Sequence, residues 1–231
     1  MAAINQAHYD RIEHPQKCAP GDFWGQVRRT VNGKPIPQEQ IDLIFFMIRQ
    51  ALCFQPDDVL LDLCCGNGRL GSEFFDEIRT YLGVDMSPVL IEIARKNFER
   101  FSTHKFLLQN AQEYCQRESH PELFTKLLCF GSFAYFSETQ AFEVLSLLHR
   151  RFTSLKRLFI SSIPDKDNAD AFFNGREALP TDDHTSAIGR WYTRDDFAKL
   201  AGSCGWKVTL SEMPSVFYQA HYRFNAILGR R

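Results

Sequence analysis

The stretch Val59-Leu60-Leu61-Asp62-Leu63-Cys64-Cys65-Gly66-Asn67-Gly68-Arg69-Leu70-Gly71 sets an acid inside an apolar run and three glycines behind it. Such a run reads as a strand entering a turn that opens a helix. The glycines at 66, 68 and 71 meet the G-x-G-x-x-G spacing that lets a backbone approach a nucleotide at a helix N-terminus. Asp62, four residues ahead of Gly66, chooses between ligands. A dinucleotide would bring its pyrophosphate to this turn and meet like charge. A cationic ligand fits better, and S-adenosylmethionine has an ammonium group and a sulfonium beside its nucleoside. A second acid, Asp85, lies nineteen positions past Gly66, at the end of the apolar run Tyr81-Leu82-Gly83-Val84-Asp85. At a strand tip its carboxylate can accept from both hydroxyls of a ribose. Met86 offers a soft apolar wall for an adenine face, Ser87 a helix N-cap and Pro88 a preset first turn.

These residues resemble the class I S-adenosylmethionine-dependent methyltransferases, over most of the chain after about residue 37. Asp62-Leu63-Cys64-Cys65-Gly66-Asn67-Gly68 is similar to that family's first motif, with Cys64 in place of the usual first glycine; Val84-Asp85-Met86-Ser87 is similar to its second. Gln109-Asn110-Ala111 stands where the third motif usually offers an Asp-Ala pair. The resemblance implies a doubly wound, Rossmann-like sheet of seven strands, mostly parallel with an antiparallel last strand. It implies S-adenosylmethionine as cofactor, with Asp62, Cys64, Gly66, Gly68, Asp85, Met86, Asn110 and Ala111 among its contacts. Asn110 would accept a bond from the adenine amino group through its amide oxygen. Phe130, ending the fourth strand, is counted with them.

The elements that must position this site alternate between strand and helix patterns from residue 58 to about 163, the signature of βαβ units. Strands are expected near 58–63, 81–85, 105–109, 126–131 and 157–163, and helices near 37–53, 69–78, 87–101, 110–117, 138–152 and 194–204. Leu90, Ile93, Ala94, Phe98 and Phe101 recur at helical period as a core stripe, and Ser137-x-x-Gln140 and Thr193-x-x-Asp196 read as capping boxes. Trp206 to Met213 and His221 to Leu228 are joined by a loop too short for a crossover helix, so they must pair antiparallel. The chain then divides into an N-terminal lid segment, 1–36, and a methyltransferase domain, 37–231, with a polar substrate-side insertion at 164–190. Lids and loops beyond the carboxyl ends of the strands cover ligands in open α/β sheets.

Composition narrows the function classes. Twenty-seven basic against twenty-eight acidic residues give a net charge of −1 with no basic block, which argues against nucleic acid as a partner. Apolar runs are too short to span a bilayer and the N-terminus lacks a leader pattern, so no membrane partner and a cytoplasmic location are expected. Seven cysteines form no C-x-x-C pair, and the seven histidines show no ligand spacing, so reduced thiols and no metal are expected. The length suits one α/β domain and leaves a homodimer open.

Methyl transfer from a sulfonium is an in-line displacement in which orientation accounts for roughly 7 to 11 kcal/mol of the barrier, so no catalytic triad is needed. An oxygen acceptor adds the need for a general base, for which His184, His221, Asp165 and Tyr135 are candidates. Tyr135 follows the fourth strand and Asp165 the fifth; His184 has acids beside it that could raise its pKa, and His221 opens the last strand. Each has a plain structural alternative in packing, capping or solvation. Trp24 could close over the ligand, with Arg28 or Arg29 pairing with the methionine carboxylate through a guanidinium fork. The expected activity is methylation of an oxygen or nitrogen of a small molecule, of natural-product or sugar type. An NAD(P)-dependent dehydrogenase and a catalytically silent adenosylmethionine-binding subunit stay open as alternatives.

Overall fold

The computed structural model describes residues 13–230 apart from Asn32, Arg176, Glu177 and Leu179; the first twelve residues of the expected lid therefore lie outside the described residues. A short helix α1 (Phe23–Gln26) and a two-stranded ribbon, β1 (Thr30–Val31) with β2 (Lys34–Pro35), precede helix α2 (Gln38–Leu52). Then β3 (Val59–Leu63), α3 (Arg69–Ser72), β4 (Thr80–Asp85), α4 (Pro88–Phe98), β5 (His104–Leu108), α5 (Ala111–Arg117), β6 (Lys126–Phe130), α6 (Glu138–Arg151) and β7 (Arg157–Pro164) alternate. Helix α7 (Ala169–Phe173), helix α8 (Arg194–Ser203) and the hairpin β8 (Trp206–Glu212) and β9 (Arg223–Arg230) complete the chain.

The sheet order is β5-β4-β3-β6-β7-β9-β8. β3 to β7 pair in parallel, and β9 pairs antiparallel with both β7 and β8. The last strand in sequence thus slots inside the sheet and leaves β8 at the edge. The sheet order reverses between β3 and β6, the kind of place where open α/β sheets hold ligands.

Every side chain of β3 is buried, as a strand covered on both faces requires. Val59, Leu61 and Leu63 face one apolar layer with Tyr114, Leu145 and Phe197, while Leu60 faces the other with Ile48, Phe74 and Phe106. Helix starts follow their caps: Ser87 accepts from Leu90 N, Ser137 and Gln140 form a complete capping box, and Thr193 accepts from Asp196 N.

Three expectations need correction. The helix after the glycine turn ends at Ser72, because the chain continues in tight turns, with Phe74 N donating to Gly71 O and Glu77 N to Phe74 O. Phe101 lies past the end of α4 and is 96% exposed, while Ile91 takes the buried place in the stripe. The last strand begins at Arg223, two residues late, because Ala220 N and Tyr222 N are still closing turns on Phe217 O and Gln219 O.

Packing at two helical glycines gives opposite outcomes for one substitution. A Cβ at Gly71 would sit 2.3 Å from the Tyr81 hydroxyl, whereas at Gly202 it would meet nothing within 4 Å. In equilibrium denaturation Gly71→Ala should lose about 1 to 3 kcal/mol by overpacking. Gly202→Ala should gain up to about 1 kcal/mol from helix propensity. Equal effects at the two sites would contradict the packing described.

Candidate active site

The glycine turn hangs from the second strand. Cys64 N and Cys65 N both donate to Val84 O, at 2.8 and 3.1 Å, and Gly66 N donates to Asp85 Oδ2 at 2.9 Å. The other carboxylate oxygen of Asp85 accepts from Ser87 N at 2.8 Å. Burial raises the Asp85 pKa, and the N–H groups of Ser87, Gly66 and Met86 pull it back. Each oxygen keeps acceptor capacity for a ligand. Cys64 has φ +62°, a left-handed conformation that explains why a glycine is usual there. Its thiol is pushed well above the ordinary range, first by a hydrogen bond with Cys129 and then by burial, and burial does the same to Cys65; both are inert packing groups.

Asp62 is 2% exposed and accepts from the Tyr81 hydroxyl at 2.8 Å. Burial pushes its carboxyl up to about 7; the Tyr81 hydrogen bond opposes this, the neighbouring Asp85 adds to it, and Arg29 opposes it. Burial in turn lowers the Arg29 pKa, against the attraction of Tyr218 and Asp62. The Arg29 guanidinium lies 4.5 Å over the Phe130 ring, and its Nε is enclosed without a hydrogen-bond partner.

These groups line a cavity of 610 Å³ at the carboxyl ends of β3, β4, β6 and β7. Of the residues singled out from the sequence, Trp24, Arg28, Asp62, Cys64, Gly66, Asp85, Met86, Asn110, Ala111, Phe130, Tyr135 and His184 all reach it. Met86 is 52% exposed, an apolar wall with Leu90. Trp24 packs against Phe45 at 6.1 Å beneath the Arg69 guanidinium. The Tyr135 hydroxyl donates to Ala187 O at 3.1 Å, tying β6's loop to the insertion.

The structure redirects five assignments. Gly68 is the N-cap of α3 at φ +76° and abuts Phe106, so it shapes the turn without lining the cavity. Asn110 caps α5, its Oδ1 accepting from Gln112 N and Glu113 N; the amide NH₂ is the group left for a ligand. Asp165 is buried away from the cavity, accepting from Asp167 N and Asn168 Nδ2 and pairing with Arg194 Nε at 3.1 Å. His221 is exposed in the turn before β9, its ring against Tyr222. Arg28 is exposed at the rim, and its neighbour Arg29 is the enclosed cation.

Sequence reasoning missed Asn67, Ser162, Tyr218, Gln219 and Arg223. Asn67 carried a signal, lying between two motif glycines: its Nδ2 donates to Phe23 O at 2.8 Å and Gln26 Oε1 at 2.9 Å, fastening the N-terminal segment over the turn. The others reach the cavity from β7, the β8–β9 loop and the first residue of β9, brought there by tertiary pairing alone. Among the described residues no cluster of three or more His, Cys, Asp or Glu could hold a metal ion, and no helix is long and apolar enough to cross a membrane.

Comparison with known proteins agrees with this geometry. The family model described as "Methyltransferase domain" matches residues 54–193. An uncharacterised methyltransferase of Schizosaccharomyces pombe is 31% identical over 77 residues, covering 33% of this chain and 28% of that protein. An uncharacterised RNA methyltransferase of Chlamydia muridarum is 27% identical over 82 residues, covering 35% of this chain and 21% of that protein. The matched regions thus span about a quarter of these curated relatives. Magnesium protoporphyrin IX methyltransferase from Synechocystis PCC 6803, solved with bound SAH, superposes with a TM-score of 0.62 at 16% identity, covering 99% of this chain and 96% of that one.

The raised pKa of Asp62 fixes a sign. The folded protein keeps this proton up to about pH 7, while the unfolded chain releases it near a carboxylate's ordinary value of about 4. The ligand-free protein therefore loses stability as pH rises from about 4 to 7. Asp62→Asn should flatten that part of the stability–pH curve measured by chemical denaturation. A parallel curve for the variant would place Asp62 in water.

Proposed function

Since this chain belongs to the methyltransferase domain family, we propose that it uses S-adenosylmethionine to methylate an oxygen or nitrogen of a small-molecule acceptor. Family membership overturns the dehydrogenase alternative that the glycine spacing allowed. The donor set fits the cofactor: Asp85 offers a carboxylate oriented by two backbone N–H groups to a ribose diol, and Met86 and Leu90 wall an apolar slot. Asp62 faces an ammonium and Arg29, with its unpartnered Nε, a carboxylate, matching the two charges of an amino acid. When bound, S-adenosylmethionine supplies an electrophilic methyl group on its sulfonium.

The observation that carries the small-molecule reading is closure. Trp24, Gln26 and Arg29, then His184, Thr185 and Ala187, then Tyr218, Gln219 and Arg223 come from three separate parts of the chain and line one cavity at the carboxyl ends of the strands. The N-terminal segment is the lid and part of the 164–190 insertion its counterpart. Enclosure keeps water out and holds donor and acceptor in contact, which is most of what a displacement at a methyl group requires. His184 lines the cavity and, for an oxygen acceptor, would take the proton; Tyr135 holds the insertion through its hydroxyl on Ala187.

Two measurements test this. S-adenosylhomocysteine should bind in calorimetry and NAD should not. Asp85→Ala should weaken that binding by about 1.5 to 3 kcal/mol, the worth of hydrogen bonds at a charged acceptor. An unchanged dissociation constant removes Asp85 from the ribose.

Transfer of a labelled methyl group to a panel of hydroxyl- and amino-bearing metabolites, with bulk RNA alongside, tests the acceptor. For an oxygen acceptor, His184→Asn should lower kcat by about 10²- to 10⁴-fold at unchanged cofactor affinity. Transfer to RNA alone would overturn the small-molecule reading, and tight cofactor binding without any turnover would favour a silent subunit.

A further inference from the structure

We propose that the methyl acceptor is a carboxylic acid and that Arg223 is the residue that binds its carboxylate; the inference rests on the methyltransferase reading of the same cavity. Arg223 opens β9, opposite Pro164 at the carboxyl end of β7. β7 is separated from β3 by β6, so Arg223 lines the part of the cavity remote from Asp85 and Met86. It is 7% exposed, yet among the described residues no acid pairs with it. Its Nη1 donates to Ser162 O, its guanidinium lies 4.9 Å over the Tyr222 ring, and its Nε is buried with no acceptor. A buried cation without a counter-ion is costly, and such groups are kept where a charged partner arrives from outside.

The cofactor does not supply that partner. Its single carboxylate is matched by Arg29, which lies over Phe130 and within the field of Asp62; burial chiefly lowers the Arg29 pKa, and the like charge of Arg223 adds to that. Two enclosed guanidiniums that repel each other across one cavity call for two anions. The second must come with the acceptor.

The surroundings of Arg223 are built for an anion. Gln219 accepts from Ser162 Oγ at 3.1 Å through Oε1, leaving its amide N–H groups for a ligand, and the Tyr218 hydroxyl is a further donor on the cavity wall. Ser162 is held at φ +62° in a bulge of β7 between Ile160 and Ile163. That strained turn is pinned from beneath by the buried Asn225, whose Oδ1 accepts from Ser161 Oγ at 2.7 Å and Ser162 N at 3.2 Å. Bulges re-aim groups beside active sites, and this one points the Ser162 carbonyl at Arg223. A planar guanidinium fork with flanking donors suits a carboxylate's two oxygens. Phe130, Tyr135 and Phe136 wall the remaining space with apolar surface for the body of the acid.

The test uses the full chain saturated with S-adenosylhomocysteine. Benzoate, salicylate, hexanoate and succinate are titrated by calorimetry, each beside its neutral carboxamide, with phenyl phosphate as a competing anion type. At least one acid should bind ten or more times tighter than its amide. Arg223→Gln should abolish that preference, Arg223→Lys should keep part of it, and both should bind S-adenosylhomocysteine within twofold of wild type. Because Arg223→Gln removes an uncompensated buried charge, the ligand-free variant should unfold at the same or a higher denaturant concentration; a purely structural arginine would give a lower one. Gln219→Ala, at a half-buried loop position, should weaken acid binding severalfold. Amides binding as well as acids, phenyl phosphate binding where every carboxylate fails, or acid binding unaffected by Arg223→Gln would each overturn the proposal while leaving the cofactor reading intact. Failure of wild type to bind S-adenosylhomocysteine would bring down the methyltransferase reading itself.

Discussion

The parallel register that sets Asp62 opposite Gly83 is the constraint on which the site depends. A Cβ at Gly83 would lie 2.8 Å from the Tyr81 hydroxyl, the Cys65 sulfur and Phe106, so only the absence of a side chain lets the tyrosine reach across to the acid. Gly71 clears the same hydroxyl from the helix side. With that space, a carboxyl can be buried under the turn with one strong hydrogen bond. Without it, the acid would be expelled or left unsatisfied, at a cost of about 1 to 3 kcal/mol. The same register brings Val84 O beneath Cys64 and Cys65 and Asp85 against Gly66, so the turn and the second strand tip are one hydrogen-bonded unit.

Much of this was legible in the sequence because it is local. The glycine spacing, the acid at each strand tip, Ser87 before Pro88 and the capping box at Ser137 all depend on residues within a few positions of one another, and the structure has each in place. The alternation of strands and helices likewise needs only short-range periodicity, and the seven-stranded sheet follows from it. Where local reading failed, a local competitor had won. Asp165 sits beyond the fifth strand as expected, but it is spent on capping a turn and on Arg194. His221 would have shared a face with Arg223 had the strand begun there; instead the chain is still turning.

The far side of the cavity was illegible for the opposite reason. Ser162, Tyr218, Gln219 and Arg223 belong to no motif, and what joins them is the insertion of β9 beside β7 and a bulge whose register shift no periodicity announces. A backbone at φ +62° on a serine inside a strand is strain that the surrounding network of Asn225 and Ser161 over-determines. Such strain persists where it places a group, here a carbonyl for an arginine.

Charge ties the two sides together. The ligand-free cavity encloses Asp62 with its proton affinity raised and Arg29 with its affinity lowered, each shift showing that the ionised form is held at a cost in this surrounding. A ligand with an ammonium near the one and a carboxylate near the other would return both to their charged states, offset that cost and stabilise the fold on binding. Arg223 differs: it is enclosed among donors and an aromatic face, and among the described residues no acid pairs with it. On the proposed reading, an amino-acid end would neutralise Asp62 and Arg29 beneath the N-terminal segment that Asn67 fastens, and Arg223 would be the cation left over.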